Sequence, residues 1–251
     1  MATFEDHFSP RAVEYARHRP LYPPELFAWL ASVAPDHRLV WDCGTGNGQA
    51  AFSLAAYFDR VVATDASEEQ LRLAVPHERI DYRLARAEDV RLEPDRADLV
   101  TVAAAIHWFD FEAFYDAVRR STVPGGVLAA WTYHMPAIEP ALDAVLDRYA
   151  FQTLAAYWPE RFRYVNDHYT SLPFPFPEIP HPRFEMRADW DFARFAGFIA
   201  SWSGALRYRQ DTGRDPVDAI QPELARAWGD PTRVATIRWP LHLRVGRVAS
   251  D

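Results

Sequence analysis

The sequence predicts a doubly wound α/β fold with a mostly parallel sheet. Between residues 39 and 132, short apolar runs rich in β-branched residues alternate with stretches of helical periodicity. This alternation is typical of parallel strands with helices on both faces. The first run leads into a glycine-rich turn, and the second run ends in an acid, Asp65. These two features carry the functional prediction.

The elements can be assigned in chain order. The first 35 residues predict a helical preface, with one helix at 10–17 and a second at 25–34 that follows Pro23 and Pro24. Ser67 is the expected N-cap of a later helix, and 124–126 is expected to be a turn. The predicted strands are 39–41, 61–63, 80–84, 99–105 and 127–132. The predicted helices between them are 50–58, 68–75 and 110–121.

Beyond residue 133 the alternation stops. Residues 134–183 predict a helical, aromatic-rich insertion after strand five that packs as a lid. The chain then returns to the sheet, and a single domain over residues 1–251 is expected. The predicted later elements are a helical stripe from Ile138 to Tyr149, an amphipathic strand at 184–191, helices at 192–202 and 222–228, and a final strand at 241–245 with a bulge or irregular start at Pro240.

Composition restricts the function. The net charge of −8 argues against a nucleic-acid partner, because such partners favour a basic face. All 27 basic residues are arginine, which excludes lysine chemistry. The single cysteine, Cys43, excludes an intrachain disulfide. With no apolar signal core and no run of membrane-spanning length, we expect a soluble, cytoplasmic monomer or homodimer without a membrane partner.

The turn from Asp42 to Gln49 predicts the cofactor. It follows a strand and opens a helix, so free backbone N–H groups and glycines allow a ligand to approach closely. A dinucleotide fingerprint would place glycine where Gln49 stands, and Asp42 would repel a pyrophosphate. S-adenosylmethionine carries an ammonium and a sulfonium but no phosphate. The charges therefore favour S-adenosylmethionine.

Asp65 is the second half of this prediction. It lies 23 residues after Asp42, close to the spacing of about 20 residues expected of an acid that holds a ribose. Alone, the glycine loop could be a structural turn and Asp65 a helix-capping acid. Their joint occurrence, in order and on the expected elements, favours a cofactor site.

These segments resemble the class I S-adenosylmethionine-dependent methyltransferases. Residues 42–48 resemble their motif I, Asp65 their acidic strand-two residue, 87–89 the loop beside the adenine, and 98–109 their fourth-strand motif. Segments 15–23, 172–176 and 202–203 are similar to the methyltransferase type 11 group that includes trans-aconitate methyltransferases. The resemblance implies a seven-stranded sheet with its last strand antiparallel. The cofactor residues it implies are Asp42, Gly44, Thr45, Gly46, Asn47, Gly48, Gln49, Asp65, Ala66, Ala87, Glu88, Asp89 and Ala104.

The methyl acceptor is inferred partly from missing motifs. The Asn/Asp-Pro-Pro-aromatic motif of nucleic-acid amino-methylating enzymes is replaced by Ala-Ala-Ile-His at 104–107, and a Pro-Cys nucleophile pair is missing. His107 is either a general base or a wall residue. A carboxylate acceptor is already ionised at neutral pH and needs no base. We therefore expect O-methylation of a small acid, without a metal.

Such an acid needs a cationic clamp, for which arginine is suited. The predicted reaction-centre residues are His107, Tyr133 and Arg19. The predicted substrate-binding residues are Tyr15, Arg19, Tyr22, Trp108, Trp131, His134, Trp202 and Arg207. Taken singly, each aromatic residue could equally be core and each arginine surface. A nicotinamide-dependent oxidoreductase and a non-catalytic cofactor-binding module remain alternatives.

Overall fold

A seven-stranded sheet forms the centre of the molecule, with strand order β3-β2-β1-β4-β5-β7-β6. A computed structural model describes residues 20–92 and 96–248. β1 to β5 pair in parallel, whereas β7 is antiparallel to both β5 and β6. The strands are β1 Leu39–Cys43, β2 Arg60–Asp65, β3 Ile80–Leu84, β4 Ala97–Ala103, β5 Thr122–Tyr133, β6 Glu185–Trp190 and β7 Ala235–Arg247. The predicted fold class and the antiparallel last strand are confirmed.

Helices cover both faces of this sheet. Short single-turn helices at Ala87–Asp89, Ile106–Trp108 and Glu160–Phe162 supplement them. The α-helices are α1 Pro24–Val33, α2 Gln49–Leu54, α3 Glu68–Arg72, α4 Phe111–Ser121, α5 Pro140–Arg148, α6 Arg163–Asn166, α7 Phe192–Ala200, α8 Ser203–Thr212 and α9 Pro216–Trp228. None of the helices in the described ranges is both long and apolar enough to cross a bilayer.

The central strands are buried on both faces. Every residue of β1 is buried. Val40 and Trp41 are neighbours in β1, yet they belong to two separate apolar clusters, because alternate side chains of a strand point to opposite faces. Trp41 satisfies its indole N–H by donating to Thr64 Oγ1 on β2 at 2.9 Å. This continuous burial explains why the strands appear in the sequence as unbroken apolar runs.

Two helix ends depend on side-chain caps that the sequence signals. Ser67 accepts a hydrogen bond from the N–H of Gln70 at 3.3 Å, which confirms it as the N-cap of α3. Asp110 caps α4 by accepting from the N–H of Ala113. α2 and α3 end earlier than their apolar patterns predict, at Leu54 and Arg72. The predicted helix at 10–17 lies outside the described residues.

The start of the last helix was predicted wrongly at a proline. Pro222 was expected to begin the last helix, but α9 begins at Pro216, where the Asp215 carboxylate caps the N–H of Val217. Pro222 lies inside the helix on its exposed side. There the carbonyl of Asp218, which loses its partner N–H, faces water, so the usual cost of a proline within a helix is reduced.

Pro240 does not produce the expected bulge. β7 runs without interruption through it, pairing with β6 up to Pro240 and with β5 from Leu241 onward. Leu241 donates its N–H to Phe184 at the β6 side, so the ring nitrogen of Pro240 faces the other side, beyond the end of β5. No ladder hydrogen bond is lost there, and the strand continues.

Two further expectations differ from the structure. Residues 124–126 form a bulge within β5 rather than a turn, since the pairing with β4 shifts between Ala97 and Leu99 and Gly125 has a positive φ. α8 was not predicted at all. It buries only Gly204 and Ala205, so it has no apolar stripe for periodicity to detect.

Candidate active site

The site lies where four parallel strands end. β1 is flanked by β2 on one side and by β4 on the other, so the chain connections leave β1 and β4 in opposite directions. In doubly wound sheets, this reversal opens a crevice at the carboxyl ends of the strands. The loops that follow β1, β2, β4 and β5 therefore meet at one edge.

The glycine loop after β1 is held against β2. The N–H groups of Gly44 and Thr45 both donate to the carbonyl of Thr64, at 2.8 and 3.0 Å. Gly48 has φ +84°, and a Cβ there would lie 2.4 Å from the hydroxyl of Tyr82. Gly46 also has a positive φ, +57°, but the nearest atom to its virtual Cβ is 3.8 Å away. Gly48 therefore serves packing, whereas a Cβ at Gly46 would make only an ordinary van der Waals contact, with Gln70, among the described residues.

Asp42 lies beneath this loop and does not reach its surface. The carboxylate is fully buried, and it accepts hydrogen bonds from the hydroxyls of Thr45 at 2.6 Å and Thr101 at 2.7 Å. Burial raises the pKa of Asp42 to about 6, although both hydroxyls oppose the shift. The sequence suggested a partner for a cationic amine. The structure limits Asp42 to acting on a ligand through its electrostatic field, without contact.

Asp65 stands at the end of β2, beside the glycine loop. One carboxylate oxygen accepts from the N–H of Gly46 at 2.8 Å, and the other accepts from the N–H of Ser67 at 2.8 Å. The side chain is partly exposed, and a carboxylate accepts several hydrogen bonds at once, so Asp65 is chemically suited to accept from ribose hydroxyls. The structure thus brings Asp65 and the loop together, as predicted.

The remaining predicted cofactor residues surround this crevice. One carboxylate oxygen of Glu88 accepts a hydrogen bond from the N–H of Asp110, at the start of α4, at 3.0 Å. The other oxygen forms an ion pair with Arg86 at 3.5 Å. Asp89 is exposed and Ala87 is buried. Gln49 donates to the carbonyl of Pro20 at 2.9 Å, which ties the start of α2 to the preface. Thr45 is buried, whereas Asn47, Ala66 and Ala104 are partly exposed.

A cavity adjoins the glycine loop on the far side of β4. It encloses about 960 Å³, including the part open to solvent. Ala105 links the two sites, because a Cβ at Gly44 would meet the Ala105 side chain at 2.6 Å while the neighbouring Ala104 lines the cavity. Ala104 has an unusual φ of +52° for a residue with a side chain. The other lining residues are His107, Trp108, Thr132, Tyr133, His134, Met135, Ala150, Phe151, Trp158, Phe162, Val165, Asn166, Phe198, Ser201, Trp202, Ser203 and Leu206.

His107 is the most buried titratable group of this cavity. Its Nδ1 lies 2.8 Å from the hydroxyl of Tyr169. Burial, together with a smaller contribution from the charge of Arg161, lowers the pKa of His107 to about 3. The imidazole is therefore neutral at pH 7 and a weak proton acceptor.

His134 lies on the outer side of the cavity. Its Nε2 is 2.9 Å from the side-chain oxygen of Asn166. Burial also lowers the pKa of His134. Both cavity histidines thus act as neutral polar groups in an aromatic wall.

Three predicted substrate-binding residues, Trp108, His134 and Trp202, line the cavity together with the predicted reaction-centre residues His107 and Tyr133. Trp131 does not. It is fully buried, and its ring packs against Tyr22 and Phe27, because alternate residues of β5 point to the opposite face of the sheet. Tyr22 packs against Trp131 and does not line the cavity. Arg207 on α8 does not line it either. Tyr15 and Arg19 lie outside the described residues.

Sequence reasoning missed several cavity residues. Phe151, Trp158 and Phe162 come from the insertion, and Phe198 and Ser201 come from α7 and the turn after it. The rings of Trp158 and Phe162 stack at 4.4 Å with an interplanar angle of 12°. Aromatic density in the insertion was visible in the sequence. Periodicity could not separate the rings that face the cavity from those that fill the core.

The crevice fits S-adenosylmethionine on its own geometry. Gly46 places no side chain beside the Asp65 carboxylate, and the buried Asp42 supplies negative charge beneath the loop. A pyrophosphate would lie beside Asp65 and within the field of Asp42, which disfavours a dinucleotide. No cluster of metal-binding side chains was found in the described parts of the chain.

Comparisons with known proteins agree with this geometry. A methyltransferase domain model matches residues 41–130. A solved structure from Anaeromyxobacter dehalogenans, assigned as a type II methyltransferase, is 43% identical, covers 93% of this chain and 99% of its own, and superposes with a TM-score of 0.86. A Dictyostelium discoideum protein assigned as a methyltransferase is 29% identical over 96% of this chain and 94% of its own length.

A more distant structure shares the fold. The Haemonchus contortus phosphoethanolamine N-methyltransferase 2, solved with phosphomonomethylethanolamine and S-adenosylhomocysteine, is 16% identical with a TM-score of 0.50. The match covers 98% of this chain and 60% of that one. At this identity the likeness concerns the fold alone.

Proposed function

We propose, for a chain that belongs to the class I S-adenosylmethionine-dependent methyltransferases, that the acceptor is a carboxylate oxygen of a small, largely apolar molecule. The alternative of a nicotinamide-dependent oxidoreductase is not supported by the relatives found. The observation that carries the proposal is the aromatic cavity beside the glycine loop, whose lining includes the neutral imidazole of His107.

The lining of the cavity favours a small molecule. Its walls are mainly aromatic and aliphatic with a few polar groups, as is usual for sites that bind small organic ligands. The chain carries a net charge of −8, so a nucleic-acid acceptor is disfavoured. We place no membrane or nucleic-acid partner at this site.

The lack of a strong base favours a carboxylate over a hydroxyl. A hydroxyl acceptor must lose its proton during transfer, and an imidazole whose pKa is about 3 is a poor acceptor for that proton. A carboxylate is already ionised at pH 7. Its charge is balanced in the complex by the sulfonium, so an apolar cavity does not leave it unpaired.

In this mechanism the protein positions the two reactants and removes water from around them. S-adenosylmethionine supplies an electrophilic methyl group when bound. The glycine loop and Asp65 would hold the cofactor, and Ala104, His107 and Tyr133 would hold the acceptor oxygen near the loop. Positioning of two reactants can contribute about 7–11 kcal/mol to lowering a barrier. The walls formed by Trp158, Phe162 and Trp202 exclude water from the reacting oxygen.

A panel of acceptors tests the acceptor class. Purified protein is incubated with S-adenosylmethionine and with matched sets of aryl and alkyl carboxylic acids, alcohols and primary amines, and with trans-aconitate. We expect methyl esters from the monocarboxylic acids, detected by mass spectrometry. Arg207 does not line the described cavity, so trans-aconitate should be methylated less efficiently than an acid with an apolar body. Methylation of alcohols or amines in preference to acids would contradict the proposal.

The pH profile separates the two oxygen acceptors. At saturating cofactor, we expect kcat/KM for an acid to be flat from pH 7 to 9, because this range lies above the pKa of the substrate carboxylate, of Asp42 and of His107. A hydroxyl acceptor activated by a base would show a rate that rises with pH over this range. Such a rise would count against the carboxylate.

The cofactor site has its own test in Gly46→Ala. Gly46 and Gly213 both have positive φ, +57° and +70°, and Gly213 has nothing within 4 Å of a virtual Cβ. Each alanine should cost about 1–2 kcal/mol of stability for its left-handed backbone. Only Gly46→Ala should lower the affinity for S-adenosylhomocysteine, at least tenfold by calorimetry. Equal affinities for the two variants would mean that the ligand does not lie against Gly46.

A further inference from the structure

A buried tyrosine contacts the cavity histidine from behind. The hydroxyl of Tyr169 lies 2.8 Å from Nδ1 of His107, and both side chains are buried, at 0% and 4% exposure. In the described part of the chain, the other ring nitrogen of His107, Nε2, has no hydrogen-bond partner. His107 lines the cavity. The ring is therefore held at one nitrogen and available to a substrate at the other.

The backbone at Tyr169 is strained to make this contact. His168 and Tyr169 are consecutive residues with φ of +59° and +63°, although neither is glycine. Left-handed conformations at side-chain-bearing residues are costly and persist only when the surroundings impose them. Here the N–H of Tyr169 donates to the carbonyl of Tyr164 at 2.7 Å, and Arg244 donates to the carbonyl of Tyr169 at 2.9 Å. The surroundings thus fix the position of the Tyr169 ring.

The proton in this pair belongs to the tyrosine. Among the hydrogen bonds of the described residues, Nδ1 of His107 is the partner of the Tyr169 hydroxyl, and the Thr132 hydroxyl donates instead to the carbonyl of Tyr133 at 3.3 Å. A fully buried O–H that donates to nothing is costly, so the phenolic proton is directed to Nδ1. A neutral imidazole that accepts at Nδ1 carries its own proton on Nε2.

We propose that Tyr169 is a positioning residue that locks His107 in the Nε2–H tautomer, so that the ring donates a hydrogen bond to the acceptor oxygen of the substrate. The tautomer follows from this chain's own contacts. The identity of the oxygen rests on the proposed function. His107 is then a donor that orients the acceptor, and it is not a base.

The charges around His107 agree with a neutral donor. Arg161 donates to the carbonyls of Phe109 at 2.6 Å and of His107 at 3.4 Å, so a positive charge lies on the backbone side of the imidazole. Phe162, Trp108 and Tyr169 surround the ring. A second positive charge on the ring would therefore be unfavourable.

Nitrogen NMR of protein labelled with ¹⁵N-histidine tests the tautomer without any substrate. His107 is assigned by the signals lost in His107→Gln. We expect Nε2 protonated and Nδ1 unprotonated in the wild type. Tyr169→Phe should shift the ring toward a mixture of tautomers. Tyr115→Phe, which removes another buried hydroxyl of the same apolar cluster, should leave the His107 signals unchanged.

Two NMR results would overturn the proposal. One is a wild-type spectrum with the proton on Nδ1, a measurement that needs no variant to fold. The other is an unchanged tautomer in a folded Tyr169→Phe.

Kinetics supply the second readout. With the best acid from the acceptor panel, Tyr169→Phe should raise KM for the acid about tenfold and leave S-adenosylhomocysteine affinity unchanged. Tyr115→Phe should alter neither value. Equal KM values in the two variants would overturn the positioning role. A spectrum with Nε2–H and a panel in which no acid is methylated would support the lock and refute the carboxylate, so the two failures are distinguishable.

Discussion

Burial is the largest influence on the pKa of two groups of the site, Asp42 and His107. Asp42 and His107 are both removed from water, and burial favours the neutral form of each. For Asp42 this raises the pKa to about 6, and for His107 it lowers the pKa to about 3. The aspartate therefore retains a negative charge at pH 7 at a cost to stability, whereas the histidine is uncharged. The negative charge of Asp42 beneath the glycine loop suits a cationic cofactor.

Asp42→Asn should remove the loss of stability that the buried charge of Asp42 causes at neutral pH. The folded-state pKa of Asp42 is raised, so its contribution to stability is present below about pH 3.8 and is lost as the pH rises toward 6. A shift from 3.8 to about 6 corresponds to a loss on the order of 3 kcal/mol. We expect the free energy of unfolding of Asp42→Asn, measured with urea from pH 4 to 7, to lack this decline.

The same variant should bind the cofactor less well. S-adenosylmethionine carries one positive charge more than S-adenosylhomocysteine, so its affinity should fall further in Asp42→Asn. Asp98→Asn is the control, because Asp98 is also fully buried but lies at the start of β4, at the opposite end of the sheet. Equal losses for both ligands would indicate a local distortion and no effect of charge.

At the scale of elements, the antiparallel last strand joins the insertion to the sheet. Arg244 projects from β7, and its guanidinium donates to the carbonyls of Tyr169 and Leu172 at 2.9 and 3.0 Å. It also pairs with Glu178 at 2.7 Å. One mostly buried cation thus holds three points of the segment that delivers Tyr169 to the cavity. This arrangement explains how a strained turn persists without glycine.

Arg244→Gln should release that turn. Hydrogen bonds to charged groups contribute about 1.5–3 kcal/mol each, and two carbonyls would lose their donor. We expect a loss of at least 2 kcal/mol in urea unfolding, together with faster hydrogen exchange of the amide of Tyr169. Arg187→Gln on the exposed side of β6, where Arg187 pairs with Glu185 of the same strand, should change stability by less than about 0.5 kcal/mol. A similar, small effect of both changes would mean that Arg244 does not hold the turn.

At the scale of the whole molecule, the sheet order decides where chemistry occurs. β1 and β4 at the centre carry the cofactor loop and the residues that follow Ala103, while β5 and β7 support the wall that the insertion completes. The cofactor crevice and the aromatic cavity therefore both lie at the carboxyl ends of the central strands. A group of histidines, His134, His168 and His242, lies where the insertion meets β7, and the rings of His168 and His242 stack at 3.8 Å.

These histidines should make the molecule sensitive to acid. Burial and the neighbouring His168 and His134 lower the pKa of His242 to about 4. A depressed pKa means that stability is complete above about pH 6.5 and is lost as the pH falls toward 4. When the pH is lowered from 7.5 to 5, the unfolding temperature of His242→Gln should decrease less than that of the wild type. The exposed His181→Gln should behave as the wild type, and a matching decline in all three proteins would contradict the prediction.

The local pattern of apolar runs and capping residues was sufficient to predict which strands and helices form the first half of the fold. Strands buried on both faces appear as continuous apolar runs, and caps such as Ser67 and Asp110 mark helix starts directly. Proline boundaries were less reliable, because the cost of Pro222 and Pro240 depends on which side of an element faces a partner. That information is not local. The unpredicted α8 shows the same limit for a helix with little buried surface.

The sequence by itself determined the fold class, the cofactor and the pairing of the glycine loop with Asp65, since these depend on short spacings within consecutive elements. Only the tertiary structure decided which aromatic residues line the cavity, placing Trp131 in the core and Trp158 in the wall. It also brought Tyr169 to His107 across 62 residues. Contacts between distant segments depend on how elements pack, and periodicity along one element carries no record of its neighbours in space.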